Sequence, residues 1–129
     1  ALVVAHNEEN KLASCLKKLV HADELVVVLD KTNDKSEIIA KKFGAKVFKG
    51  SWNIEANRRN FGIKKCLGDW ILEIDAGGSH KPRDIIGFLK FMGDDYACIF
   101  GSRFCKGGKL TNHNFIRYFF RQLHFIFNI

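Results

Sequence analysis

The sequence contains little proline and no long apolar run, and each absence excludes a class of protein. With one proline and eleven glycines in 129 residues, the chain has no linker rich in these residues, and no internal repeat is visible. No apolar stretch approaches the roughly 20 residues of a membrane-spanning helix, and the first residues lack the basic flank of a signal peptide. With 47% hydrophobic and 27% charged residues, the composition predicts one globular, cytoplasmic domain over residues 1–129.

Cysteine is also scarce, and its spacing argues against disulfides and metal sites. The four cysteines form no C-x-x-C pair and lie far apart, at Cys15, Cys66, Cys98 and Cys105. We therefore expect reduced thiols in or near the core, as is usual for a cytosolic protein.

Acidic residues are absent from the last quarter of the chain. The formal net charge is +7, and beyond Asp95 there are five basic residues and no acidic one. Positive charge of this extent favours an anionic partner. Nucleic acid is the weakest candidate partner, because no nucleic-acid-binding motif is present.

Runs rich in valine and isoleucine alternate with segments of helical periodicity. This alternation predicts an α/β protein with a mostly parallel sheet flanked by helices. The expected strands cover residues 2–5, 24–30, 46–48, 70–75 and 97–100. The expected helices contain the apolar positions Leu12, Cys15, Leu16 and Leu19, then Ile38, Ile39 and Phe43, then the segment 54–66, then Ile85, Phe88, Leu89 and Met92.

Two of these strands end in an acidic residue, Asp30 and Asp75. Ligands of open α/β sheets bind in the crevice at the carboxyl ends of the strands, so both carboxylates are expected to face that crevice. An aspartate after a strand also commonly caps a helix or opens a turn. Two such residues together favour a binding site.

Three further polar segments follow strands or open helices, at 3–9, 30–36 and 57–62. The paired Arg58 and Arg59 suit diphosphate oxygens, because arginine offers a planar and permanently charged fork. A solvated charged face explains these arginines about equally well.

In their order along the chain, these segments resemble the inverting nucleotide-sugar glycosyltransferases of family 2, which have the GT-A fold. The resemblance extends from residue 3 to residue 128. It rests on the segments 5–9, 28–34, 58–62 and 68–71, which are similar to the family's Pro-x-Tyr-Asn-Glu, Val-Asp-Asp-Gly-Ser-Thr-Asp, Ala-Arg-Asn-x-Gly and Gly-Asp-Tyr-Ile motifs. Proline and tyrosine are replaced in the first motif, and the first aspartate is replaced in the second.

The family's Asp-x-Asp metal motif is only half present. Asp75 is kept, whereas Gly77 stands where the second acid belongs. The resemblance implies Mg²⁺ or Mn²⁺ bridging the diphosphate of the donor, and the missing carboxylate implies weaker metal binding or none. Two adjacent glycines also suit a tight turn before a helix that begins at Pro82.

The segments 79–82 and 101–108 narrow the resemblance to dolichyl- and polyprenyl-phosphate sugar transferases. In those enzymes, the arginines at the positions of Arg103 and Arg117 hold the phosphate of the acceptor lipid. The resemblance therefore implies Asp75, Arg103 and Arg117 as catalytic residues, with Asp75 as the metal ligand. The implied donor-binding residues are Ala5, His6, Glu8, Asp30, Arg59, Asp75 and Ala76.

The last residues form an apolar segment with few charges. Laid out as a helix, residues 113–129 have a polar stripe and a wide apolar face, which suits a membrane interface on the cytoplasmic side. A core helix covered by a part of the protein beyond the chain fits equally well. Because the chain ends within this segment, we expect a domain that is truncated at its C-terminus.

Three functions agree with these features. The first is transfer of a sugar, with inversion, from a GDP- or UDP-sugar to a polyprenyl phosphate, whose ionised oxygen needs no general base. The second is transfer to a sugar hydroxyl of lipopolysaccharide or another glycolipid, which needs a base although no acidic residue follows Asp95. The third is a catalytically impaired remnant that keeps the fold and binds nucleotide or lipid.

Overall fold

The computed structural model describes residues 1–77, 85–93 and 98–99. The chain divides into two compact units, Ala1–Asp94 and Asp95–Ile129, and Cys98 and Ile99 are the described residues of the second. Only residues 98 and 99 of the predicted strand at 97–100 are described, and the predicted helix at 113–129 lies completely outside the described residues. The prediction of one domain over 1–129 stays a prediction.

The first unit is built around a sheet of four parallel strands in the order β3-β2-β1-β4. Strands and helices alternate along the chain. In sequence they are β1 (Leu2–Ala5), α1 (Glu9–Lys17), β2 (Val26–Asp30), α2 (Ser36–Lys42), β3 (Lys46–Gly50), α3 (Glu55–Ile63), β4 (Glu73–Asp75) and α4 (Ile85–Leu89). The predicted parallel sheet with flanking helices is confirmed.

The two central strands, β1 and β2, are buried on both faces. Alternate residues of β1 belong to two different apolar clusters, as the twofold repeat of a strand requires. Val3 packs in the cluster that contains Leu12 and Leu16 of α1, whereas Leu2 and Val4 pack in the cluster that contains Phe61 of α3. Helices therefore cover both faces, which explains why these strands are continuously apolar.

Helix α3 packs against β1 and β2 at Gly62, where a side chain would not fit. A Cβ atom at this position would lie 2.7 Å from Cδ1 of Leu2, a side chain with no exposed surface. Any larger residue would push the helix away from β1. Helix α3 is also shorter than the predicted 54–66, because the N–H groups of Lys65 and Cys66 bond three residues back and tighten the chain into a turn.

Two further expectations need correction, one on the start of a strand and one on the buried face of a helix. Strand β4 begins at Glu73 instead of Trp70, because β1 supplies its pairing partners only from Leu2 onward. In α2 the predicted apolar face is partly wrong: Ile38 is 59% exposed, whereas Ser36 and Ala40 are buried. The helix presents positions four residues apart to the core, and Ile38 lies off that stripe.

The cysteines that the structure describes are free thiols, but the expected position in or near the core is wrong for Cys98, which is exposed. Cys15 and Cys66 are half-buried, and burial is the main cause that raises the pKa of both thiols. Within the described ranges, we find no helix that is both long and apolar enough to cross a membrane.

Candidate functional site

The carboxyl ends of the parallel strands bring the two predicted acidic residues to one edge of the sheet. Val4 of β1 is level with Val28 of β2 and with Asp75 of β4. Asp30 lies two residues beyond Val28, at the end of β2, as Asp75 lies at the end of β4. Asp30 lies on the side of the sheet that α3 covers, where Arg58 contacts it, whereas the charge of Asp75 acts on Cys15 of α1.

Asp30 is held in place by two hydrogen-bond donors. Its Oδ1 accepts a hydrogen bond of 2.9 Å from the backbone N–H of Trp52, and its Oδ2 accepts one of 3.0 Å from Arg58. The residue is only 6% exposed. Burial by itself would raise the pKa of Asp30, but the Trp52 hydrogen bond and the Arg58 guanidinium outweigh it and lower that pKa. The carboxylate is therefore ionised, and a carboxylate has acceptor positions beyond the two already in use.

Arg59 lies on α3 and is bound to acidic side chains of the protein itself. Its guanidinium donates hydrogen bonds to Glu55 on the same helix and to Glu73 of β4. The neighbouring Arg58 is taken by Asp30, as described above. Arg58 and Arg59, which the sequence suggested as ligands of a diphosphate, thus both have carboxylate partners. The role of Arg59 in donor binding stays a prediction.

The loops that follow β1 and β2 are bonded to each other. The ring nitrogen Nδ1 of His6 donates a hydrogen bond of 2.7 Å to the backbone oxygen of Asp30. Asn7 has a φ of 50° and accepts a hydrogen bond of 3.0 Å from the N–H of Asn33 on its side-chain oxygen. A left-handed residue other than glycine is uncommon and often lies at a binding site. The predicted residue His6 therefore lies directly beside Asp30.

One aspartate in these loops connects the starts of two helices. Asp34 accepts hydrogen bonds from the N–H of Glu9, at the start of α1, and from the N–H of Ser36, at the start of α2. The carboxylate of Glu9 accepts a further bond from the N–H of Lys35. Burial opposes the ionisation of Asp34, yet the hydrogen bonds from Ser36 and Glu9 lower its pKa. Asp34 fills the last acidic position of the second motif, and its structural role was not foreseen.

Asp75 lies next to the position of the missing acid. A Cβ atom at Gly77 would lie 3.0 Å from Oδ2 of Asp75 and 3.5 Å from Oε1 of Glu8. Glu8 also forms an ion pair of 3.8 Å with Lys11. Across the part of the chain that the structure describes, no three His, Cys, Asp or Glu side chains are grouped closely enough to hold a metal ion. Protein ligands to a divalent ion would here be one or two carboxylates, which is the usual number for Mg²⁺ bound together with substrate phosphates.

The structure brings most of the predicted donor-binding residues to this one edge. Six of these residues end a strand or follow one closely: Ala5, His6 and Glu8 at β1, Asp30 at β2, and Asp75 and Ala76 at β4. The side chains of Ala5 and Ala76 belong to the core, so only their backbone atoms are available to a ligand. Arg103 and Arg117 lie outside the described residues. Sequence reasoning missed Trp52 and the specific pairing of Arg58 with Asp30, because both contacts join residues more than twenty positions apart.

The chain is similar in sequence to several glycosyltransferases. Two proteins known only as uncharacterized glycosyltransferases, from Rickettsia bellii and Rickettsia typhi, are 35% and 33% identical to it over 77 and 75 residues. Those matches cover 59% and 57% of this chain and 26% of each relative. A dolichol-phosphate mannosyltransferase of Pyrococcus furiosus is 26% identical over 126 residues, which is 90% of this chain and 36% of the relative. The chain thus spans well under half the length of these relatives.

A solved structure has the same fold. Glucosyl-3-phosphoglycerate synthase from Mycobacterium tuberculosis, solved in complex with Mn²⁺, UDP and glucosyl-3-phosphoglycerate, superposes with a TM-score of 0.52. The sequence identity is 23%, and the match covers 58% of this chain and 32% of that one. The likeness confirms the predicted GT-A arrangement of the sheet and helices.

A sequence model of the family covers nearly the full length. It is described as glycosyl transferase family 2, and it matches residues 1–128. The parallel sheet, the acidic residues at its carboxyl edge and this match agree with one another, and the chain belongs to glycosyl transferase family 2.

Proposed function

We propose that this chain transfers a sugar from a GDP- or UDP-sugar to a polyprenyl phosphate, with inversion at the anomeric carbon. The observation that carries the proposal is the 126-residue match to a dolichol-phosphate mannosyltransferase, which spans 90% of the chain. The arrangement of Asp30 and Asp75 at the carboxyl edge supports a donor site there.

On the donor side, Asp30 binds the nucleoside and Asp75 holds the divalent ion. The solved relative binds Mn²⁺ and UDP, which supports this pair of ligands for the present chain. Asp75 offers the hard oxygen that Mg²⁺ or Mn²⁺ prefers, and we infer that Glu8, which also borders Gly77, contributes a second one. When bound, the ion neutralises charge on the departing diphosphate.

On the acceptor side, the nucleophile needs positioning and not deprotonation. A phosphate monoester is already ionised near pH 7, so no general base is required for its attack on the anomeric carbon. Arg103 and Arg117 would hold the phosphate by charge-assisted hydrogen bonds. Catalysis then rests on orientation and charge neutralisation.

Substitution of these arginines tests the acceptor. In vesicles that contain polyprenyl phosphate, Arg103→Ala and Arg117→Ala should each lower labelled-sugar transfer by about a hundredfold, with donor binding unchanged. Arg121→Ala is the control for Arg117→Ala: it removes the same charge from the segment 113–129, so a loss of transfer that both variants share comes from weaker attachment to the vesicle. Transfer that survives in both Arg103→Ala and Arg117→Ala would show that the acceptor is not a phosphate held by these residues.

A second candidate is transfer to a sugar hydroxyl of lipopolysaccharide or another glycolipid. It is supported by the resemblance of the segments 52–55 and 57–62 to family 2 enzymes that build such glycans. The same vesicle assay discriminates the two, with a glycolipid in place of polyprenyl phosphate. Transfer to the glycolipid alone would favour this candidate.

A third candidate is an impaired remnant, and Gly77 supports it. Restoring the acid with Gly77→Asp should raise Mn²⁺ affinity, measured by electron paramagnetic resonance of the free ion, because a further carboxylate then faces Asp75. Gly77→Ala is the control, since its Cβ makes the same 3.0 Å contact with Asp75 and adds no charge. A large gain of sugar transfer in the Asp variant alone indicates a damaged enzyme, whereas no gain indicates a binding module.

We also propose that the protein lies on the cytoplasmic face of a membrane through the segment 113–129. Its wide apolar face and its arginines support attachment to anionic lipid. Co-sedimentation with anionic vesicles tests this, and the outcome against it is equal recovery with and without vesicles.

A further inference from the structure

Lys31 lies beside Asp30 in a conformation that favours glycine. Its φ is 49°, in the left-handed region, where a side chain costs roughly 1 kcal/mol. The residue is fixed there because its N–H donates a hydrogen bond of 2.9 Å to the backbone oxygen of Gly50, at the end of β3. The family motif has glycine at this position. Lysine is less favourable than glycine in this backbone conformation, but it places a cationic side chain next to Asp30.

The ammonium group of Lys31 is held by a neutral partner. Its Nζ donates a hydrogen bond of 3.1 Å to the side-chain oxygen of Asn53, in the loop after β3. Arg58 and Arg59 on the nearby helix are instead bound to carboxylates. Among the described residues, no carboxylate oxygen lies within the 4.0 Å of an ion pair with Lys31. The charge of this exposed ammonium also acts on Asp30, but no described carboxylate is bonded to it, so it can donate to a ligand that binds beside Asp30.

The strand order decides which part of a nucleotide sugar this ammonium can meet. Lys31 follows β2 and bonds to β3, whereas Asp75 ends β4 on the opposite side of β1. A metal-bound diphosphate at Asp75 is thus separated from Lys31 by a strand. Lys31 lies on the side of Asp30, where the nucleoside is proposed to bind.

We propose that Lys31 selects the nucleobase of the donor by donating a hydrogen bond to an exocyclic keto oxygen, while the adjacent Asp30 carboxylate accepts the neighbouring ring N–H. Uracil and guanine present such an N–H next to a C=O. Cytosine and adenine instead present an exocyclic amino group, which donates, next to a ring nitrogen that accepts. The Asp30 carboxylate and the Lys31 ammonium, as acceptor and donor in these positions, do not match that pattern. The inference rests on the proposed nucleotide-sugar donor.

Calorimetric titration of the full chain with UDP, GDP, CDP and ADP tests the inference. The wild type should bind UDP and GDP at least about tenfold more tightly than CDP and ADP, and Lys31→Met should remove most of that preference, since a hydrogen bond to a charged group is worth about one power of ten. Lys31→Gly should do the same without backbone strain. Lys42→Met is the control, because it removes an exposed lysine from the end of α2.

Each other outcome overturns the inference in a recognisable way. An equal loss for all four nucleotides in Lys31→Met would indicate a phosphate contact, and a loss in Lys31→Met but not in Lys31→Gly would indicate a backbone effect. Unchanged preference in both variants, or a wild type that binds all four nucleotides equally, would remove Lys31 from base selection and leave the proposed function standing. A wild type that binds no nucleotide would overturn the proposed donor itself.

Discussion

At the scale of single residues, the most consequential contact is the pair of Asp30 and Arg58. Asp30 is buried at the edge where ligands of such sheets bind, and a buried carboxylate is tolerated only with compensating donors. Arg58 supplies one donor and the backbone of Trp52 the other. Arg58 is therefore a positioning residue that keeps Asp30 charged and correctly turned.

Replacing Arg58 should destabilise the protein and change how the ionisation of Asp30 contributes to stability at different pH. Arg58→Met leaves a buried carboxylate with one donor, and we expect a loss of about 3 kcal/mol in the free energy of unfolding, measured with urea. Arg59→Met is the matched control and should cost about 1 kcal/mol or less, because Arg59, Glu55 and Glu73 are 39%, 59% and 30% exposed and water screens their charges. Equal losses in the two variants would contradict a special role for the Asp30 pair.

The sign of the accompanying pH effect follows from the lowered pKa of Asp30. A carboxyl whose pKa is lower in the folded state contributes stability above its unfolded value of 3.8, and this contribution is lost as the pH falls through the folded value. The difference between wild type and Arg58→Met should therefore be full at pH 7 and shrink below pH 3.8.

At the scale of elements, the starts of α1 and α2 are joined through Asp34. Its two carboxylate oxygens serve one N–H group in the first turn of each helix, so both helices depend on a single side chain. His6 and Asn7 lie in the loop that leads into α1, and both are hydrogen-bonded to residues at the end of β2 or in the loop that leads into α2. Local stability and site geometry are therefore linked here.

Asp34→Ala should cost about 2 kcal/mol of unfolding free energy, because two backbone donors lose their acceptor. Asp34→Asn keeps one acceptor oxygen and should cost about half as much. Chemical denaturation gives both values. A loss in Asp34→Ala no larger than that in Asp34→Asn would show that one of the two hydrogen bonds contributes nothing.

Glu37 joins α2 to the edge strand β3. Its carboxylate accepts hydrogen bonds of 2.8 Å from Lys41 on the same helix and 2.7 Å from Lys49 on β3. These two ammonium groups lower the pKa of Glu37 from 4.5 to about 2. The pair is on the surface, so its effect is weakened by salt.

The stability difference between the wild type and Glu37→Gln should follow this pKa. A lowered carboxyl pKa stabilises the fold fully above pH 4.5, and the contribution declines as the pH falls toward about 2. We expect a lower melting temperature for Glu37→Gln at pH 7 and convergence of the two proteins at acid pH. A difference that persists unchanged at pH 3, or that is insensitive to salt, would rule out this ion pair as its source.

At the scale of the whole molecule, stability should be distributed unevenly over the sheet. Every residue of β1 and β2 is buried, whereas β3 at one edge has only exposed and half-buried residues and β4 has one buried residue. Amide hydrogen exchange should therefore be slowest in β1 and β2 and faster in β3 and β4. Protection of β4 equal to that of β1 would contradict this order.

The sequence by itself determined the family, the parallel sheet and the position of Asp30 and Asp75 at the carboxyl ends of two of its strands. These features follow from local patterns, since apolar runs fix the strands and a residue that ends a parallel strand must lie at the carboxyl edge. The tertiary structure alone decided that Arg58 pairs with Asp30, that Arg59 reaches Glu73 besides its helix neighbour Glu55, and that α2 turns Ile38 outward. These contacts depend on which side chains, distant in sequence, come close together in the folded protein. The pattern of charge and hydrophobicity along the chain does not specify such partners.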